Sequence, residues 1–523
     1  MTETNPKKKN FDFLVIIISL VVVLSISAFF LSDSERAIAI AGNIFTLIAY
    51  NFGTPILWYA FGLTVIGAIL VFSKYGNIRM GNEKPDYSTF SYIVMMALAG
   101  CGSGTVYWAF LEWSYYFQGP AFGLEPKSTE AIEWAVTYSL HHWGLTAWAI
   151  YAITAIPMMY AFYIKKQKSL KLSDVTVSMI KNKTTGKIVG RIIDVLYPIS
   201  LIFGLIIVIA LGVPIVSAAV STLFGIQDTL MLKMLMIGVV AIILISSSFL
   251  GLTKGMKRIS GMGTYFIIGL ILYILIFGPT RFILENTSSS VGIWLQNFLK
   301  MSLYTDAIDQ GKFPQAWTAY FWAYWMIFIP LMCVFITKVS KGRTLREVVV
   351  CTLGGGTTFI VTLFAISGSF MLKTELDGKV IISQMVNEGN ASQAIAQSLN
   401  QLPGSVIVLF VFIVSAILLL ITTLDGSVFT LACNTQDKLD KDNNPSTALK
   451  IFWCLAIIAI PSIFIIVKAP VGSMQSAILI FALPILVLTV FMLVKTFIDM
   501  NKTYSKLSAE DIKNMHRLQE DKE

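Results

Sequence analysis

The chain has 523 residues, of which 56% are hydrophobic and only 13% charged, with a mean hydropathy of +0.73. A water-soluble protein carries about a quarter charged residues, so a soluble globule is excluded. The net charge of +9 is concentrated in connections between apolar runs, which reads as membrane topology and not as a surface for nucleic acid.

Runs of about 20 apolar residues, long enough to cross a bilayer as helix, recur at 11–31, 53–73, 89–117, 132–164, 190–222, 229–252, 259–284, 315–338, 346–372, 403–433, 449–467 and 472–496. Backbone polar groups in hydrocarbon must be satisfied internally, so these twelve spans are helices and the chain is an all-α polytopic membrane protein. The first run is too long and uninterrupted for a signal peptide, and no small-residue cleavage site follows it. Most of the 39 Lys and Arg fall on one side: Lys7 to Lys9, Lys74 to Lys84, Lys165 to Arg191, Lys254 to Arg258, Lys338 to Arg346, Lys438 to Lys450, and the C-terminal tail. That asymmetry predicts a plasma-membrane protein with both termini in the cytoplasm.

The third span carries Ala99-Gly-Cys-Gly-Ser-Gly104. Gly100, Gly102 and Gly104 each weaken a helix by about 1 kcal/mol relative to Ala. They permit a local break that frees backbone carbonyls; close packing of small residues is the competing reading. Farther along the same span lies Glu112. In the fourth span, Trp143, Trp148 and Tyr151 line an overlapping arc. His141 and His142 are adjacent, so they point in different directions, and with His516 in the tail they make no zinc site. All five cysteines (Cys101, Cys333, Cys351, Cys433 and Cys454) fall within spans, where cysteine behaves as a small apolar residue.

The outer connection from Arg281 to Gln315 contains Ser290 to Lys300, whose apolar residues recur at helical spacing. It suits a helix lying along the membrane surface or across neighbouring spans, or an ordinary packed loop helix. The eighth span then places seven aromatic side chains in the twelve residues Trp317 to Phe328, followed by Pro330. Tyr324, Trp325 and Phe328 share one face. Facing the arc of the fourth span, they make a box, and each ring offers about 0.5–2 kcal/mol to a desolvated cation such as a quaternary ammonium. Packing and interfacial anchoring are the bland explanations for such stripes. The tenth span ends Leu419-Leu-Ile-Thr-Thr-Leu-Asp425. Its hydroxyls are either bonded back to their own helix or available as hard oxygen ligands for sodium. Glu112 and Asp425 are costly in a membrane unless paired, hydrated or functional; spacing does not decide whether they carry protons or hold helices together.

Interrupted helices at corresponding places in two halves point to a transporter's central site. Spans 3–7 and 8–12 are those halves. The chain divides as one transporter domain, 1–523: an N-terminal tail 1–10, two added helices 11–88, a first repeat 89–284, an outer linker helix 285–314, a second repeat 315–496, and a C-terminal tail 497–523. The tail mixes five Lys and Arg from Asn501 onward with Glu510, Asp511, Glu520, Asp521 and Glu523, unlike a polybasic arm that senses anionic lipid.

The stretch Trp317-Thr-x3-Trp-Ala-x-Trp325 followed by Lys341-Gly-Arg-Thr-Leu-Arg346 resembles the signature of betaine/choline/carnitine transporters, and the likeness covers nearly the whole chain. Phe122 to Thr129, Tyr304-Thr-Asp306 and Phe313-Pro-Gln315 resemble the carnitine/γ-butyrobetaine exchanger branch. The resemblance implies a sodium-symporter-type fold with two inverted five-helix repeats after two extra helices, assembled as a homotrimer. It implies substrate contacts from Tyr115, Trp143, Tyr324, Trp325, Phe328 and Met332, with Trp148 and Tyr151 as further cage positions. It also implies a sodium site made by the backbone carbonyls of Leu98 and Cys101 with Leu419, Thr422 and Thr423.

The departures from the family pattern carry information. Tyr324 and Phe328 soften the expected set of large rings, and Glu112-Trp113 replaces the usual Glu-Pro. Gly263 stands where the sodium-independent exchanger has an arginine, and Thr423 adds a hydroxyl that it lacks; both favour sodium coupling. Gly104 stands where the proton-coupled choline branch has an aspartate. Phe203 to Leu211 is apolar apart from glycine, so no second sodium site is expected. The expected function is secondary transport of a quaternary ammonium compound with one coupling sodium, the partners being that substrate and membrane lipid. Sodium-independent exchange of carnitine-like betaines is the rival mode. A betaine receptor built on a transporter frame is disfavoured by the absence of a signalling domain, and an enzyme by the absence of a metal site, nucleophile–base pair or cofactor fingerprint.

Overall fold

The computed structural model describes residues 11–100, 102–167, 169–250, 257–308, 311–436, 439 and 444–515. Cys101, one of the expected sodium ligands, lies outside them, as does His516. Among the described residues nine helices are long and apolar enough to cross a membrane, and up to twelve spans result if three bent helix pairs are each one span. Extended structure among them amounts to two isolated bridges, Phe11 with Gln436 and Arg79 with Thr344.

The opening differs from the expectation. Helix α1 (Phe13–Ser32) is followed at once by α2 (Ser34–Phe72), so the expected connection over 32–52 is helical. Asp33 separates the two helices and caps the second, its carboxylate accepting from Arg36 N at 3.1 Å. This is the ordinary N-cap use of an aspartate.

The third span is split into α3 (Thr89–Ala99) and α4 (Ser103–Gln118), bent by 67°. Gly100 and Gly102 occupy the break, whereas Gly104 belongs to the first turn of α4. The fourth span is itself interrupted, as α5 (Thr129–Trp143) and α6 (Leu145–Thr154) with Gly144 between them. A Cβ at Gly144 would lie 2.7 Å from Trp294. The fifth to seventh spans are α7 (Lys183–Phe224), α8 (Leu230–Leu250) and α9 (Lys257–Phe277). After α9 the chain turns by 109° into α10 (Thr280–Leu303), the crosswise helix that the spacing of Ser290 to Lys300 suggests. It packs against α5 and against the ninth span, α13 (Leu345–Leu376).

The eighth span, Pro314 to Val339, opens with a π-helical turn. It continues as α11 (Tyr320–Ile327), bends by 54° at Phe328 and resumes as α12 (Ile329–Val339). Pro330 sits in the first turn of α12, where its missing N–H costs nothing. The remaining spans are α14 (Ser405–Asn434), α15 (Thr447–Ile466) and α16 (Val471–Tyr504). The α7 span and the fourth span are 89% buried within the molecule, against 28% for α8 and 33% for α1. The former two are therefore central and the latter two peripheral. Connections rich in Lys and Arg meet one another: Lys74 Nζ donates to the carbonyls of Ser505 and Leu507, Lys165 pairs with Asp499, and Arg191 pairs with Asp12.

Candidate functional site

The two breaks and the interrupted fourth span converge. The rings of Trp148, Tyr151 and Trp325 form a triangle with centroid separations of 6.2, 5.6 and 4.9 Å. Trp143 joins it at 5.3 Å from Trp325, with the ring planes 68° apart. Tyr324 lies 6.2 Å from Trp143, and Phe328 lies 5.5 Å from Tyr324. All six side chains are buried. The mostly edge-to-face arrangement is the one that ring quadrupoles prefer, and it gathers several aromatic rings into one buried group. Met332 is buried one turn beyond Phe328, its amide donating to the Phe328 carbonyl at 3.0 Å.

Tyr115 is placed differently. Its ring packs on Trp317 at 5.2 Å and Trp108 at 5.8 Å, and its hydroxyl meets that of Tyr107 at 2.9 Å. It belongs to a neighbouring aromatic cluster, linked to the Trp325 group through Phe321, which stacks on Trp317 and sits 5.7 Å from Trp143. Phe364, on α13, stacks on Trp143 at 4.9 Å. Nothing in the sequence singled out Phe364, a lone ring in an ordinary apolar helix. Phe321 was in view as part of the aromatic run but without a face assigned.

The third-span break is seated directly on this group. A Cβ at Gly100 would come within 2.8 Å of the Trp148 ring and 3.6 Å of Trp325. Glycine is required there by close approach, whatever its backbone angles. Gly356 on α13 closes the other side of Trp148, where a Cβ would run into the indole. The Trp148 Nε1–H is buried without an acceptor, a free donor at the edge of the rings.

Across the break lies α14. A Cβ at Gly102 would be 2.6 Å from Thr423 Oγ1, so this hydroxyl abuts the unwound backbone. Thr422 and Thr423 donate to the carbonyls of Leu418 and Leu419, at 2.8 and 3.2 Å. Back-bonding uses the hydroxyl proton and leaves the oxygen lone pairs free, so it is compatible with coordinating a cation. The Leu98 carbonyl accepts from Gly100 N at the end of α3 and retains a second lone pair. Ser103 Oγ, the first side-chain oxygen after the break, is buried without a partner. These hard oxygens fit a sodium ion in kind. Position 263 faces the same turn: a Cβ there would lie 2.9 Å from Leu418 Cβ and 3.5 Å from Leu419 N.

The two intramembrane carboxylates have separate surroundings. Asp425 accepts from Ser247 Oγ at 2.8 Å and from Ser248 Oγ at 3.4 Å, which ties α14 to α8 at the periphery. Glu112 is wholly buried beside the rings. Its Oε2 accepts from Trp143 Nε1 at 2.6 Å, and its Oε1 accepts from the Tyr116 hydroxyl at 2.7 Å and lies 3.0 Å from His142 Nδ1. Sequence reasoning missed His142 as part of the site, because its adjacency to His141 drew attention only to metal binding. A cleft of about 490 Å³ opens between α7, α12 and α14, lined by Tyr197, Pro330, Val334, Lys338, Phe429 and Thr430. It opens at the end of the bundle where Asp12 and Arg191 pair.

Residues 14–505 match the family described as BCCT, betaine/carnitine/choline family transporter. A carnitine transporter of Acinetobacter baumannii is 35% identical over 488 residues, covering 93% of this chain and 88% of that protein. An uncharacterized transporter of Escherichia coli K12, YeaV, is 33% identical over 429 residues, covering 82% of this chain and 88% of the relative. The chain belongs to the betaine/carnitine/choline transporter family: it is a multi-pass membrane transporter and not an enzyme.

Proposed function

We propose that this family member is a secondary active transporter in the plasma membrane for quaternary ammonium compounds of the glycine betaine, carnitine and γ-butyrobetaine class, driven by sodium symport. The observation that carries the reading is the group of Trp148, Tyr151 and Trp325 packed on the broken third span. A trimethylammonium group cannot donate hydrogen bonds and is attracted to ring faces. The free Trp148 Nε1–H suits the substrate's carboxylate.

Sodium, when bound, supplies a positive charge that holds the break and α14 together. Leu98, Thr422 and Thr423 are the described residues that would hold it, with Ser103 Oγ close by in sequence. The hydroxyl at Thr423 and the absence of a basic side chain at Gly263 support this coupling over ion-independent exchange. One sodium entering down a 100 mV potential contributes about 2.3 kcal/mol, enough for roughly 50-fold accumulation of a zwitterion. Alternating access would rock two inverted five-helix repeats, 89–284 and 315–496, about the site. Both termini would lie in the cytoplasm, and the cleft beside Pro330 would be the inner exit. Three copies would assemble as a trimer.

Uptake of labelled glycine betaine, L-carnitine and γ-butyrobetaine into proteoliposomes tests the reading, with and without an inward sodium gradient. Sodium-driven accumulation in vesicles lacking internal substrate is the expected result. Uptake indifferent to sodium but dependent on internal betaine would replace symport by exchange, and uptake of none of the three would remove the substrate class.

A further inference from the structure

Glu112 is a carboxylate buried in a span, one hydrogen bond away from a ring of the proposed cage. Such a residue is expensive unless it has a use. Among the described residues its only basic neighbour within ion-pair distance is His142. Tyr116 completes a triangle, its hydroxyl 2.7 Å from Glu112 Oε1 and 2.9 Å from His142 Nδ1. His141, Tyr138 and Tyr320 are the other ionisable side chains facing this cluster, from α5 and α11.

The donor inventory accommodates a charged carboxylate. The indole of Trp143 can only donate, and so occupies Oε2. His142 Nε2 lies 3.0 Å from Thr318 Oγ1. With the threonine donating, the ring proton falls on Nδ1 and points at Oε1. The carboxyl group then receives from Trp143, Tyr116 and His142 and needs no proton of its own. Trp325 adds to the pattern, because its Nε1 donates to the His142 carbonyl at 3.2 Å. The N–H groups of both indoles thus donate to Glu112 and to the backbone of its neighbour His142.

We infer that Glu112 is the counter-charge of the substrate's ammonium group, acting through Trp143. The mechanism has two parts. A negative charge one indole away attracts a cation in a site that excludes water. An indole donating to that carboxylate is polarised so that its faces become more electron-rich, which strengthens cation–π attraction. Glu112 is therefore a positioning and specificity residue; it holds the ring and biases the site toward positive charge without touching the ligand. The inference rests on the proposed quaternary ammonium substrate.

The test is a binding titration in detergent, read by tryptophan fluorescence, with γ-butyrobetaine and its uncharged-head isostere 5,5-dimethylhexanoate. Glu112→Gln keeps an acceptor for Trp143 and removes the charge; Glu112→Asp keeps the charge on a shorter arm. We expect Glu112→Gln to weaken γ-butyrobetaine about tenfold, the order expected of one nearby unit charge at an intermediate effective dielectric. Glu112→Asp should fall between it and the wild type, whereas 5,5-dimethylhexanoate, which keeps the carboxylate without the cation, should bind Glu112→Gln no more weakly than the wild type. Wild-type affinity in Glu112→Gln, or weaker binding by Glu112→Asp than by Glu112→Gln, would overturn the inference. An equal loss for ligand and isostere would do the same and leave Glu112 a structural residue. Absence of γ-butyrobetaine binding in the wild type, repeated with glycine betaine and L-carnitine, would instead count against the proposed function.

Discussion

The third and eighth spans are both broken near the middle of the molecule, yet they are broken by different means. Glycines make the first break, which bends by 67° and leaves Gly100 and Gly102 outside the two helices. An aromatic run and a proline make the second, which bends by 54° and gives up only Phe328 before the helix resumes. The first therefore offers backbone oxygen beside Thr423, and the second offers ring faces. Hard oxygen ligands collect at one break and aromatic rings at the other, a division suited to the proposed pairing of a sodium ion with a bulky organic cation.

This division can be broken experimentally. The largest effect is expected from Trp325→Leu, which removes the ring shared by Trp143, Trp148 and Tyr151. Loss of a desolvated cation–π contact of about 2 kcal/mol predicts at least a 30-fold weaker affinity for betaine, measured by uptake. Near-normal affinity would return Trp325 to simple packing. Gly100→Ala comes next. Its methyl must displace the Trp148 ring, so uptake should fall about tenfold, whereas Pro330→Ala at the other break should cost less than about threefold. Equal effects would erase the contrast between the two breaks.

Thr422→Ala combined with Thr423→Ala sharpens the ion half of the comparison. The half-saturating sodium concentration should rise about tenfold, by loss of two ligands each worth a modest fraction of a hydrogen bond's energy, with betaine affinity at saturating sodium nearly intact. Unchanged sodium activation would dissociate the hydroxyls from coupling. The smallest effect on transport is expected for Asp425→Ala. Ser247 and Ser248 would lose their acceptor, lowering stability by about 1–3 kcal/mol in a thermal melt while leaving betaine affinity within about twofold.

What could be read in the sequence follows from what repeats locally. Spans were legible because length and hydropathy are local, and the breaks because Gly100, Gly102 and Pro330 are local signals. The ring faces of Trp148, Tyr151 and Trp325 followed from helical periodicity. Partners across helices were not legible. Phe364 reaches Trp143, and His142 reaches Glu112, only because α13 and α5 pack where they do. Tyr115, assigned by resemblance to the substrate, lies in the adjoining cluster with Trp317, one ring removed. The helical 34–52 stretch escaped notice because polar Asn43 and Asn51 dilute its hydropathy without breaking its helix.

The crosswise helix α10 has a consequence beyond its place outside the spans. Trp294 seats against Gly144, and its Nε1 donates to His141 Nδ1 at 3.3 Å. Gly144 is the helix break next to Trp143, whose indole N–H is held by Glu112. α10 also rests on α13, so under the proposed alternating-access motion it would couple the second half of the bundle to Gly144 and its neighbour Trp143. In the proposed transporter this would link a helix lying crosswise to the spans to a ring of the cage.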